Sequence, residues 1–144
     1  MSVLVIDASI AIKWVVEERG TEAALSLRRT GRLIAPDLLI AECANVLWKK
    51  ARRHELTVEQ ALYAANLLQH AELELLPTRS LLADAAAIAI NLDHPAYDCV
   101  YIALAAANDC RFVTADEALV RKLRGSTILS ERVLSLTDAG SGNS

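Results

Sequence analysis

The sequence predicts an α/β domain with a small, mostly parallel central sheet and helices on both sides. Short apolar runs alternate with longer stretches of helical periodicity, and the helices outnumber the strands. The first run, Val3-Leu4-Val5-Ile6, is apolar without a break, which suits a strand buried on both faces in the middle of a parallel sheet. The 144 residues suffice for one domain with a full core, and no repeat or linker divides them. The expected domain spans residues 1–136, with 137–144 (rich in Gly and Ser) as a flexible tail.

The first strand stops at Asp7, and Ser9 is placed to cap a short helix reaching about residue 16. Thr21 is expected to cap a second helix to about residue 29, ended by Gly31. Leu33-Ile34-Ala35, closed by Pro36, reads as a strand. Pro36 and Asp37 start a long helix to about residue 53. Thr57 with Gln60 is a capping-box signature for a helix over 58–70. Leu73, Leu75 and Leu76 form a short strand before Pro77, and an Ala-rich helix follows to about residue 91. Asp98 opens a helix over 99–108 that is apolar nearly all round, as buried helices are. Phe112-Val113-Thr114 is a strand. Asp116 caps a helix to about residue 124, ended by Gly125, and Ile128-Leu129 is placed as a last edge strand.

Composition narrows the function. Hydrophobic residues make up 53% and the net charge is −3, so nucleic acid is not held by bulk positive charge. A nuclease remains compatible, because bound cations and local basic patches can offset acidic side chains. Cys43, Cys99 and Cys110 fit neither a disulfide framework nor a zinc pattern and are expected to be free thiols. The chain has no basic leader and no apolar run long enough to span a membrane, so a cytoplasmic protein is expected.

Four carboxylates occupy special places. Asp7 ends the first strand, where α/β proteins bind ligands. Glu42 lies among Ile40, Ala41, Cys43 and Ala44 and needs a partner. It shares a helix face with Asn45 and Lys49. Asp98 and Asp116 sit at helix starts. Singly, Asp98 and Asp116 read as N-caps and Asp7 as a turn former. Together, four converging carboxylates would repel, and a divalent cation would remove that cost. All-oxygen ligation selects Mg2+, with Mn2+ as a substitute.

The motifs resemble those of the PIN-domain ribonucleases, and more closely the VapC-type toxins of toxin–antitoxin pairs. The resemblance rests on Val5-Ile6-Asp7-Ala8-Ser9, on Pro36 through Glu42 with Asn45, on Tyr97-Asp98-Cys99-Val100-Tyr101-Ile102-Ala103-Leu104-Ala105, and on Phe112-Val113-Thr114-Ala115-Asp116-Glu117, in that order over nearly the whole chain. It implies a PIN-like fold and a magnesium-dependent endoribonuclease that cleaves RNA phosphodiesters by metal-activated water. It also implies a homodimer and a small antitoxin protein as partner. By the same resemblance Asp7, Glu42, Asp98 and Asp116 hold the metal, with Ser9 and Thr114 as supporting catalytic residues. Asn45, Lys49 and Arg53 are candidates for RNA contact, in a basic cluster that a solvated helix end would also explain. Arg28, Arg29 and Arg32 are assigned to a partner or to solvent. Tyr97 and Tyr101 are expected to pack, and His70 and His94 to be structural or exposed. The alternatives are a non-catalytic PIN-like module that binds RNA or protein, and a receiver-like phosphoacceptor domain. The latter lacks a clear acidic pair and downstream lysine.

Overall fold

The computed structural model describes residues 2–140. Five strands form one sheet in the order β3-β2-β1-β4-β5, and all four pairings are parallel. They are β1 (Ser2–Ile6), β2 (Gly31–Pro36), β3 (Glu74–Leu76), β4 (Arg111–Thr114) and β5 (Val133–Ser135). The expected mostly parallel sheet is thus wholly parallel, and the first strand is central. Val5, Ile6, Ile34, Phe112 and Val113 are fully buried in the core.

Among the described residues, eight α-helices connect and cover the strands: α1 (Ala8–Ala11), α2 (Thr21–Leu27), α3 (Leu38–Arg52), α4 (Val58–Gln69), α5 (Leu82–Leu92), α6 (Ala96–Ala107), α7 (Glu117–Arg124) and α8 (Leu136–Gly140). The order runs outward from β1 through β2 to β3, then returns to β4 on the other side of β1. Right-handed crossovers therefore put the β1–β2 and β2–β3 connections on one face, and the β3–β4 and β4–β5 connections on the other. The direction changes between β1 and β4. The carboxyl ends of those two strands flank a crevice, the usual ligand position in such sheets.

Several local expectations are corrected. Asp7, rather than Ser9, occupies the N-cap position of α1, which passes at Ile12 into a single 3-10 turn. Ser9 lies inside the helix, and its hydroxyl is used elsewhere. Gly20 caps α2 with φ +90°, and Thr21 instead ties down the preceding loop by accepting from Glu18 N–H (2.9 Å) and donating to the Val16 carbonyl (3.1 Å). Gly31 opens β2 rather than ending a helix. A Cβ there would stand 2.4 Å from the Ser2 carbonyl oxygen, so only glycine permits that close strand pairing. α6 starts at Ala96, which puts Asp98 in its first turn. The last strand is Val133–Ser135, not Ile128-Leu129, which lies in the turn before it with Ile128 exposed. Both pairs are short and apolar, and pairing with Phe112 and Val113 is what makes Val133 and Leu134 the strand.

Residues 137–140, expected in the tail, belong to α8, which packs on α2 and carries the Arg124–Asp138 ion pair (2.7 Å). Residues 141–144 lie outside the described residues. The Thr57–Gln60 capping box is present in both directions. All three cysteines are free thiols, two buried and Cys110 partly so.

A four-carboxylate cleft as candidate active site

The crevice at the ends of β1 and β4 is lined by Asp7, Ser9, Leu38, Glu42, Asp98 and Asp116, with Asn45 and Tyr97 also on its wall. All four sequence-predicted acids therefore meet in one cleft. β1 delivers Asp7 to its floor, the second turn of α3 presents Glu42, the first turn of α6 presents Asp98, and the turn after β4 presents Asp116.

Asp7 is only 8% exposed. Ser9 Oγ donates to its Oδ1 (2.5 Å), and Thr114 Oγ1 donates to its Oδ2 (2.6 Å). Both hydroxyls also accept backbone bonds from the β4–α7 turn: Ala115 N–H to Ser9 (3.0 Å) and Asp116 N–H to Thr114 (3.1 Å). The two hydroxyls thus fasten Asp7 to the segment that carries Asp116. Burial pushes the Asp7 pKa up to about 6, against these hydrogen bonds, and the Asp98 charge adds to the rise.

Glu42 is half-buried, and its carboxyl is likewise raised, first by desolvation and then by the Asp98 charge. Its partner is Tyr101, whose hydroxyl donates to Oε1. Tyr101 is fully buried and stacks on Phe112 (centroids 5.6 Å apart). It packs as expected, but it also meets the need that the apolar surroundings of Glu42 create. Tyr101 lies three residues after Asp98, on the same helix face. Tyr97, also expected to pack, is 66% exposed at the cleft wall.

Asp116 does cap its helix, accepting Leu119 N–H at 3.1 Å, and still borders the cleft. Asp98 accepts from His94 Nε2 at 2.8 Å. Among the described residues no three Asp, Glu, His or Cys side chains are gathered closely enough to hold a metal ion as they stand. Each acid instead holds a protein donor and retains lone pairs, since a carboxylate offers about four acceptor sites. The donor set suits a hard divalent cation: oxygen only, with the Asp7 and Glu42 carboxyls raised by burial and by the Asp98 charge.

The basic cluster on α3 divides. Lys50 turns away to Glu18 (2.9 Å) and Glu55 (3.5 Å). Arg52 lies over the exposed Trp48 ring at 4.4 Å. Helical register keeps Asn45, Lys49 and Arg53 on the side of α3 that carries Glu42. In the second cluster, Arg28 covers the Trp14 ring at 4.9 Å and Arg32 pairs with Glu74.

Comparison with known proteins agrees with this geometry. Residues 4–124 match the PIN domain family. The chain is 35% identical over 125 residues to the protein named Ribonuclease VapC3 of Pyrobaculum aerophilum, covering 83% of this chain and 93% of that one. The crystal structure of PAE2754 from Pyrobaculum aerophilum superposes with a TM-score of 0.72, covering 99% of this chain and 89% of that one at 19% identity, a likeness of fold. The chain therefore belongs to the PIN-domain family, among its VapC-type members.

Proposed function

We propose that the protein is a magnesium-dependent endoribonuclease, the toxin of a VapBC-type toxin–antitoxin pair, acting in the cytoplasm. The observation that carries this reading is the convergence of Asp7, Glu42, Asp98 and Asp116 on one cleft of a PIN fold. The similarity to a protein named as a ribonuclease supports RNA as the substrate.

A divalent cation held by these four acids would make a bound water acidic enough to attack and would offset charge building on the phosphate. The remaining work falls to the chain. Ser9 and Thr114 fix both Asp7 oxygens, so the floor of the cleft need not reorganise when a cation is held. Tyr101 keeps the Glu42 carboxylate from swinging to solvent. Lys49, Arg53 and Asn45 hold the RNA backbone beside the cleft, where the acids alone would repel it. Exposed apolar residues on α4 (Val58, Leu62, Tyr63 and Leu67) supply surface for a second copy or an antitoxin. Among the described residues, no helix is long and apolar enough to cross a membrane.

The test is cleavage of single-stranded RNA by the purified chain. Cleavage should require Mg2+, stop with EDTA and be absent in Asp7→Asn. Undiminished cleavage by that variant would refute the assignment of the site.

A further inference from the structure

We propose that His94 is a positioning residue for Asp98, held in its donor tautomer by Lys122, and that this chain of contacts sets the divalent-cation affinity of the cleft. The inference rests on the metal-site reading above.

Asp98 holds a special place among the four acids. Its charge is the one that raises the carboxyls of both Asp7 and Glu42. It is also held differently. Asp7 has two hydroxyl donors, Glu42 has the Tyr101 hydroxyl, and Asp116 has a backbone N–H. Among the described residues, the hydrogen-bond partner of Asp98 is His94 alone, at 2.8 Å. Asp98 lies in the first turn of α6, where a short carboxylate can fold back onto free helix N–H groups, and no side chain caps that helix. The contact with His94 engages Oδ2 instead and leaves Oδ1 for a cation.

The direction of the bond follows from Lys122. Its ammonium stands 3.2 Å from His94 Nδ1 and donates to the Asp93 carbonyl at 3.0 Å. An ammonium has no lone pair, so Nδ1 must accept, and the imidazole proton must sit on Nε2, facing Asp98. The ring is mounted on a fixed backbone. Asp93 closes α5 in the left-handed region (φ +53°), and His94 N–H donates to the Ala89 carbonyl at 3.1 Å. Three segments (the end of α5, the start of α6 and the last turn of α7) thus combine to aim one carboxylate. Donors behind a metal-binding carboxylate fix its orientation, and losing one typically costs metal affinity about 10- to 100-fold.

The test is calorimetric titration of Mn2+ into the full-length protein, with melting curves in EDTA as the control on folding. His94→Ala should weaken Mn2+ binding about 10- to 100-fold. His94→Gln, whose amide N–H can reach the same carboxylate, should recover most of that loss. Lys122→Met should weaken binding less than His94→Ala, because the ring is then free to turn its acceptor nitrogen toward Asp98. If His94→Ala does not fold, the His94→Gln and Lys122→Met pair carries the comparison. Asp98→Ala separates the two ideas. Wild-type affinity in His94→Ala with a clear loss in Asp98→Ala would overturn the positioning role and leave the metal site standing. Wild-type affinity in Asp98→Ala would overturn the site reading, and the positioning role with it. An unchanged Lys122→Met would overturn the tautomer lock.

Discussion

Asp7→Asn removes the one carboxylate that is buried among the described residues while nearly preserving its shape. In wild type, burial moves this carboxyl from 3.8 to about 6. Ionised Asp7 therefore costs the fold about 3 kcal/mol relative to the unfolded chain. The sign follows from proton counts. Below roughly pH 3 both states are protonated and the penalty is absent. Between there and about pH 6 the unfolded chain ionises while the folded one keeps its proton, so stability falls as pH rises. Above that the full penalty persists. Asparagine has no such titration, but its amide N–H₂ faces a hydroxyl that previously donated, and one hydrogen bond of about 1 kcal/mol is lost.

In EDTA, Asp7→Asn should therefore be about 2 kcal/mol more stable than wild type near neutral pH and about 1 kcal/mol less stable near pH 3. Urea unfolding at the two pH values measures this directly. Mn2+ at about a hundred times its Kd should then return about 2.7 kcal/mol to wild type alone. A variant that is no more stable at neutral pH, or whose advantage does not shrink with acid, would refute the claim that Asp7 is held there at a cost.

Three further outcomes follow from the same geometry. Asp116→Ala should relieve the growth arrest expected when the wild-type chain is expressed alone, and should cost about 1 kcal/mol in unfolding through the lost cap of α7. Equal harmlessness of both chains would remove the toxin reading. Lys49→Glu should weaken binding of single-stranded RNA, read by fluorescence anisotropy, and leave Mn2+ affinity near wild type, whereas equal loss of both would make Lys49 structural. Tyr101→Phe keeps the ring contact with Phe112 and removes the hydroxyl that meets Glu42. It should cost about 1 kcal/mol in urea unfolding, against about 3–5 kcal/mol for Tyr101→Ala, and near-equal losses would show that the hydroxyl, not the ring, carries the stability.

The central strand, the largely apolar α6 and the four acids were legible because each left a local mark in the chain. A continuous apolar run, an apolar helix with one acid in its first turn, and a strand running into Thr-Ala-Asp are patterns of neighbours. The partners of the acids were less legible, because they come from remote segments. Ser9 and Thr114 are 105 positions apart yet serve one carboxylate. Tyr101 reaches Glu42 across 59 positions, and Lys122 reaches His94 across 28. His94 and Asp98 are the exception. Their four-residue spacing was visible, but His94 precedes the helix, and only the left-handed turn at Asp93 brings the ring back over it. The misplaced last strand has a different cause: Val133–Ser135 is too short to signal itself and is fixed by pairing with β4.

The central claim, that the four-acid cleft is a divalent-metal site, is tested most directly by crystals of the wild-type chain grown with Mn2+ and an anomalous difference map. A peak is expected about 2.0–2.2 Å from an Asp7 oxygen, bordered by Glu42, Asp98 and Asp116 directly or through water. Bound Mn2+ with its peak outside this cleft would contradict it.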